Sequence, residues 1–167
     1  MANIASRALR LKLVDESTLF NYYFDTGRDG HIDTVRLFEA IGAGKYEGYT
    51  SEYAEIELRR APDAKRCGML ALIDQYRLIR LEAEDEAYRL ADIYVSKKII
   101  PERFRFDGAH IAIASIHGLD CVCSYNFKHI NRVSTKLMTA RVNNAEGYGS
   151  VVICTAKEVL ENDVKSY

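Results

Sequence analysis

Residues 107–126 read DGAHIAIASIHGLDCVCSYN, and this stretch decides the fold that we expect of the chain. Its first part consists almost wholly of small or apolar residues and is stopped by Gly118, which predicts a buried central helix opened by Asp107. An apolar run at residues 119–124 follows at once and is typical of a buried strand. A buried helix joined directly to a buried strand indicates one unit of a parallel α/β sheet.

The rest of the chain repeats this alternation. Further short apolar runs occupy residues 11–14, ending at Asp15, and residues 48–51, 78–81 and 151–154. Helical spacing marks residues 32–41, 53–73 with a break at Pro62, 84–96, and 134–143 with Ser134 as its N-cap. The pattern predicts an α/β fold: a three-layer α/β/α sandwich around a central, mainly parallel sheet of four or five strands. We expect a single domain over residues 1–167, with its core at about 11–154.

The charge balance excludes several classes of protein. The chain of 167 residues has 23 basic and 24 acidic side chains, a formal net charge of −1, which argues against a DNA-coating or strongly basic membrane-surface protein. No apolar run approaches the roughly 18 residues of a membrane-spanning helix. The first residues, MANIASRALRLKLVDES, lack the apolar core of a signal peptide. We therefore expect a cytoplasmic protein with no membrane partner.

The four cysteines show no spacing typical of a metal site. Zinc sites use paired CxxC or CxxH motifs, which are absent from this sequence. Free cysteine is among the most buried residue types. We therefore expect Cys67, Cys121, Cys123 and Cys154 to be core thiols.

Polar residues follow two of the predicted strands where each strand ends. Asp15 ends the first run, Ser124 ends the run at 119–124, and Asn126 follows two residues later. In parallel α/β sheets ligands bind beyond the carboxyl ends of the strands. Ser17 is close enough in sequence to support Asp15 by a hydrogen bond. The alternative is that Asp15 only caps a helix beginning near Ser17.

Two further carboxylates come from predicted helices. Glu57 lies six residues beyond Ser51, on the helix face shared by Tyr53 and Arg60. Asp107 lies at the start of the buried helix, where the helix dipole favours negative charge. A solvated acidic face and an ordinary N-cap are the respective alternatives. Carboxylates that converge need a hard cation between them, so the set indicates Mg²⁺ or Mn²⁺ and metal-assisted phosphodiester hydrolysis.

Other polar residues flank these candidates. His110 lies one turn beyond Asp107, and we expect it to be a hydrogen-bonded structural residue because oxygen-rich magnesium sites rarely use imidazole. Basic residues beside the candidate ligands suit contacts with a phosphate backbone, although ordinary solvated charge explains them equally well. These are Arg59, Arg60, Arg105 and Lys128, with Tyr125 and Phe127 interleaved near the last.

Four segments carry a family resemblance: VDES at 14–17, TSEYAEIELRRAP at 50–62, FDGAHIAIASIHGLD at 106–120 and CVCSYNFKHIN at 121–131. Together they resemble the PIN domain, the nuclease fold of VapC-type toxins, in register from about residue 11 to 153. By this resemblance Asp15, Glu57 and Asp107 match the family's catalytic and metal-binding acids. Asn126 matches the fourth ligand position, and Ser124 matches the small hydroxyl residue two positions earlier, which supports the site.

The resemblance implies an endoribonuclease that uses Mg²⁺ or Mn²⁺ to cut single-stranded RNA. It also implies a small antitoxin partner and a homodimer. Two departures from the family pattern are Glu16, where relatives carry a small residue, and Asn126 in place of an acid. They leave open a catalytically weak or inactive PIN-like module that binds RNA or a protein. A DNA-directed nuclease is less favoured, since the chain lacks the insertions of such enzymes.

Overall fold

A computed structural model of the protein describes residues 12–15 and 17–162. Five strands lie in one sheet: β1 (Lys12–Asp15), β2 (Glu47–Ser51), β3 (Ile79–Leu81), β4 (Cys121–Cys123) and β5 (Val152–Cys154). Their order is β3-β2-β1-β4-β5, and every neighbouring pair is parallel. The α/β prediction is confirmed, and each strand begins and ends within two residues of the corresponding apolar run. Leu11, the predicted start of the first run, lies outside the described residues.

Eight helices are present in the described ranges. They are α1 (Ser17–Phe24), α2 (His31–Gly42), α3 (Glu52–Arg59), α4 (Asp63–Gln75), α5 (Asp85–Ser96), α6 (Arg105–Ile116), α7 (Val133–Ala145) and α8 (Ala156–Asn162), with a 3₁₀ turn at Glu102–Phe104 before α6. None of these helices is both long and apolar enough to cross a membrane.

The predicted N-cap of the last long helix, Ser134, is wrong. The capping residue of α7 is Arg132, whose backbone is extended at φ −137° and ψ 150°. The Arg132 carbonyl accepts from the amide of Lys136 at 3.0 Å, so helical bonding begins two residues before the expected cap. The prediction relied on a serine side chain to cap the helix, but α7 begins without any side-chain cap, so Ser134 did not mark its start.

Alternate residues of a β-strand point to opposite faces of its sheet, and helices cover both faces of this sheet. Val122 of β4 belongs to one apolar cluster, with residues of α5, α6 and α7. Its neighbours Cys121 and Cys123 belong to a second cluster, with residues of α1, α2, α4 and α8. The sheet therefore lies between two layers of helices.

Three of the four cysteines are buried as predicted, but Cys67 is exposed. The inward stripe of α4 is formed by Met69, Leu72 and Ile73, which are all buried. Cys67 lies two residues before Met69, which is about 200° around the helix. Helix phase therefore places this thiol on the solvent side.

The predicted central helix is α6, in which residues 108–115 are all buried. Small side chains permit its close approach to α5: a Cβ on Gly108 would lie 3.3 Å from Cδ2 of Tyr94. The helix begins at Arg105, with Phe104 as its capping residue. Asp107 therefore lies within the first turn and does not open the helix.

The strand order reverses between β1 and β4. The chain builds the sheet outward through β1, β2 and β3, and then returns to place β4 on the other side of β1. Asp15 lies opposite Cys123 in the register of these two strands. In open parallel sheets such a reversal leaves a crevice at the carboxyl edge, where ligands bind.

Candidate functional site

The end of β1 is the centre of the candidate site. Asp15 is the last residue of β1 and pairs with Cys123, the last residue of β4. Ser124 follows Cys123 directly in the chain. The side chain of Asp15 and the whole of Glu16 lie outside the described residues. The backbone therefore places Asp15 at the crevice, and its role as a ligand stays a prediction.

Glu57 reaches this edge because β2 runs straight into α3. Ser51 is both the last residue of β2 and the N-cap of α3. Its hydroxyl accepts a hydrogen bond from the amide of Ala54 at 3.2 Å. Glu57 lies six residues beyond Ser51, which is about 9 Å along the axis of α3. Its side chain is 30% exposed. The hydroxyl of Ser17, which we expected to support Asp15, donates to Oε2 of Glu57.

A buried histidine binds the other oxygen of the same carboxylate. Nε2 of His110 lies 3.4 Å from Oε1 of Glu57, and the His110 side chain is fully buried. Burial alone would raise the pKa of Glu57, but the hydrogen bonds from His110 and Ser17 and the charge of Arg60 outweigh it and lower that pKa. Glu57 is therefore ionised at neutral pH. The predicted hydrogen-bonded role of His110 is confirmed.

Asp107 lies on the same helix as His110. The two residues are three positions apart on α6, so their side chains share one face. Because His110 contacts Glu57 on α3, this face of α6 turns toward Glu57. Asp107 is half-buried in the first turn, where the positive end of the helix dipole stabilises an ionised carboxylate.

A tight turn after β4 carries Ser124 and Asn126. The Ser124 hydroxyl accepts from the amide of Asn126 at 3.0 Å, and the amide group of Asn131 donates to the Ser124 carbonyl at 3.0 Å. Oδ1 of Asn126 accepts from the amide of His129 at 3.1 Å. Ser124 thus holds the backbone of Asn126 in the turn, and its support of a metal site stays a prediction. The Asn126 oxygen has a structural role in the turn, and its contact with a cation stays a prediction.

The side chains fit a cation that is held mainly by water and substrate. The described residues contain no group of three or more His, Cys, Asp or Glu side chains arranged to hold a metal ion. Mg²⁺ typically keeps several waters and binds through one or two carboxylates together with substrate phosphates. Glu57 and Asp107, with Asp15 at the adjacent strand end, are consistent with such an open site. They are not consistent with a closed zinc-type cage.

The four basic residues expected to contact RNA differ in their surroundings. Arg59 pairs with Glu55 at 3.6 Å, and Arg105 forms a two-pronged pair with Asp92. Arg60 and Lys128 are exposed. These two are therefore the better placed to bind phosphate.

Sequence reasoning singled out Ser17 and His110 but missed that both bind Glu57. Ser17 and His110 are 40 and 53 positions away from it along the chain, so no local spacing connects them. One signal existed for His110: its spacing of three from Asp107 on a helix puts it on the face of a predicted ligand.

Comparisons with known proteins agree with this architecture. Neither the scan against family models nor the search of curated proteins gives a match. Among solved structures, the crystal structure of VapBC2 from Rickettsia felis bound to a DNA fragment from its promoter matches with a TM-score of 0.51 and 11% identity. FitAcB from Neisseria gonorrhoeae matches with a TM-score of 0.53 and 11% identity. Both alignments cover 86% of this chain and 97% of the other. At this identity the likeness is one of fold.

Proposed function

We propose that the protein is a metal-dependent endoribonuclease that hydrolyses single-stranded RNA, and that it is the toxin of a toxin–antitoxin pair. The observation that carries the proposal is the Glu57 carboxylate, ionised and bound by Ser17 and His110 on the side of Asp107. The likeness in fold to VapBC2 supports it, because the sequence segments independently resemble VapC-type toxins.

Asp15, Glu57 and Asp107 would hold Mg²⁺ or Mn²⁺, with Asn126 as a fourth or outer ligand. A divalent cation lowers the pKa of an attacking water and offsets charge on the phosphate. Ser17 and His110 bind different oxygens of Glu57, so each oxygen keeps acceptor capacity on the side away from its donor. This arrangement fixes the carboxylate before substrate arrives, so little reorganisation is needed during the reaction.

In this proposal, exposed basic side chains beside the site bind the RNA substrate. Arg60 is exposed one turn of helix beyond Glu57, and Lys128 is exposed two residues beyond Asn126. Both positions suit contacts with phosphates on either side of the scissile bond. Arg59 and Arg105 contribute less to RNA binding in this proposal because carboxylates already pair with them.

The proposed protein partner is a small antitoxin, and the proposed assembly is a homodimer. Support comes from the resemblance to VapC-type toxins and the likeness in fold to VapBC2 and FitAcB. Co-expression with the product of the neighbouring reading frame tests the partner. Co-purification and loss of RNA cleavage are expected, whereas two independently migrating proteins would contradict the pairing.

Cleavage of a labelled, unstructured single-stranded RNA in Mn²⁺ tests the catalytic proposal. We expect EDTA to abolish cleavage and D107N or E57Q to lower the rate at least about 100-fold, which corresponds to a loss of at least about 2.7 kcal/mol of transition-state stabilisation. D85N is the matched control, because Asp85 also lies in the first turn of a helix but is exposed on α5. Equal cleavage by wild type and D107N, or none at any metal concentration, rejects the proposal. A branched DNA competitor tests DNA as the substrate.

A second candidate function is a non-catalytic module that binds RNA or a protein. It is favoured by the hydrogen bond that occupies the Asn126 oxygen and by the lack of a three-ligand group in the described residues. This alternative predicts RNA binding that is unchanged by EDTA and by D107N, with no cleavage. The same RNA and variants therefore separate the two functions.

A further inference from the structure

A cleft of about 460 Å³ lies beside the candidate site, at the same edge of the sheet. Tyr125 and Phe127, on the turn after β4, line one side, and Thr155, which directly follows β5, lines another. Asn126 stands between the two aromatic residues in the chain. An RNA strand held at Asn126 would therefore lie next to this cleft.

The aromatic wall of the cleft is rigid. The rings of Tyr22 and Tyr125 stack with centroids 3.9 Å apart and planes within 3°. The Tyr125 hydroxyl hydrogen-bonds with Thr34 at 3.0 Å and donates to the Gly30 carbonyl at 3.3 Å. Its amide donates to Oγ1 of Thr18 at 3.0 Å. Binding against this wall therefore costs little ordering of side chains.

Phe127 offers the open aromatic surface. Its ring stands at 63° to that of Tyr125, with centroids 6.3 Å apart, and 57% of the residue is exposed. Base–aromatic stacking is a common way for proteins to hold unpaired nucleotides. An exposed ring beside a fixed aromatic pair is suited to this contact.

The polar lining suits the edge of a base better than a phosphate. Asp29 and Asp33, near the start of α2, present carboxylates that accept hydrogen bonds and repel a phosphate group. Guanine has two adjacent donors, N1–H and N2–H₂, on the edge that would face a carboxylate. Lys157 also lines the cleft, with its ammonium 3.7 Å from Glu161, and Lys128 is exposed one residue beyond Phe127; both are cations that suit the flanking phosphates.

We propose that this cleft is a base-binding subsite that takes one unpaired guanine of the RNA, stacked on Phe127 with its donor edge toward Asp33. The inference rests on the proposed ribonuclease function, for which it supplies a sequence preference. It assigns to Phe127 and Asp33 a role in recognition that is separate from the carboxylates at the candidate metal site.

Binding in EDTA tests the subsite without cleavage. The probes are fluorescein-labelled UUGUUU and UUUUUU, followed by fluorescence anisotropy. We expect the guanine-containing hexamer to bind at least about fivefold more tightly, and F127A to weaken its binding by about fivefold or more. F127Y keeps a ring and should retain binding. L137A is the control, because Leu137 is similarly exposed (56%) but lies on α7.

D33N tests the contact with the base edge. We expect it to remove the preference for guanine while leaving the binding of UUUUUU unchanged or slightly stronger, because a repulsive charge is lost. The inference is overturned if F127A binds both hexamers as wild type does, or if the preference survives D33N. It is equally overturned if an arginine-containing peptide binds in a Phe127-dependent way and the hexamers do not.

The cleavage assay is read separately. Guanine-selective binding without cleavage leaves the subsite standing and rejects the nuclease. Cleavage that is indifferent to F127A and D33N leaves the nuclease standing and rejects the subsite.

Discussion

Nε2 of His110 lies 3.4 Å from Oε1 of Glu57, and this contact joins the buried helix α6 to α3 at the carboxyl edge of the sheet. The imidazole is fully buried, whereas the carboxylate is partly exposed. A buried donor therefore fixes one oxygen of a partly exposed carboxylate, and Ser17 binds the other oxygen. This arrangement links the packing of the core to the position of the candidate ligand.

Acidification tests the environment of Glu57. Burial opposes its ionisation, but His110, Ser17 and Arg60 together hold the pKa of Glu57 below its ordinary value of 4.5. The carboxylate therefore stabilises the fold above about pH 4.5, and this contribution is lost as the pH falls through the lowered pKa. We expect the free energy of unfolding in EDTA to fall more steeply below pH 4.5 for wild type than for E57Q, as measured by urea titration.

The matched control for acidification is E39Q, since Glu39 is exposed on α2. Its unfolding free energy should follow the wild-type dependence on pH. Parallel curves for E57Q and wild type would show that the fold does not favour the charged form of Glu57.

Substitutions at Asn126 separate its structural role from metal binding. N126A removes the acceptor for the His129 amide, and we expect it to lower the free energy of unfolding by about 1 kcal/mol. N126D keeps an acceptor and adds a negative charge, so stability should be retained and Mn²⁺ should bind more tightly in calorimetry. N144D adds the same charge at an exposed position of α7 and should leave Mn²⁺ binding unchanged. Equal Mn²⁺ affinity in N126D and N144D would remove position 126 from the ligand set.

Gly30 and Gly44 form a matched pair for a packing test. Both have left-handed backbone conformations, with φ of 94° and 77°. A Cβ at Gly44 would meet nothing within 4 Å, whereas one at Gly30 would lie 2.9 Å from the Tyr125 hydroxyl and 3.1 Å from its ring. We expect G44A to lose about 1 kcal/mol from backbone strain and G30A to lose about 1–3 kcal/mol more. Similar losses in urea unfolding would mean that Tyr125 moves freely.

The hydroxyl of Tyr94 donates to Oδ1 of Asn143 inside the core and so joins α5 to α7. Y94F leaves that buried acceptor without its donor, and we expect a loss of about 1–3 kcal/mol in the free energy of unfolding. Y148F is the control: the Tyr148 hydroxyl donates to Glu86 at an exposed site, where water replaces the lost bond. Equal effects of the two substitutions on urea unfolding would contradict the role assigned to burial.

Much of the fold follows from local pattern. Apolar runs of four to six residues predict the strands, and the near absence of polar side chains from residues 108–116 predicts that α6 is buried. The same reasoning places Asp15 and Ser124 at strand ends, because a polar residue that closes an apolar run marks the point where a strand leaves the core. These features depend on neighbours a few positions apart.

The partners within the site depend on the tertiary structure. Which strand lies beside β1 decides that the turn at Ser124 meets Asp15, and the docking of α3 on α6 decides that Glu57 meets His110. Tertiary packing also decides that Tyr22 of α1 stacks on Tyr125. The side of α4 that packs inward decides that Cys67 is exposed. Periodicity along the sequence determined which faces are apolar. Only the packing of those faces in the folded chain determined which polar groups meet, as Ser17 meets Glu57 from 40 positions away. The hydrophobic effect that drives this packing is non-directional, so an apolar pattern does not reveal which polar side chains will be neighbours.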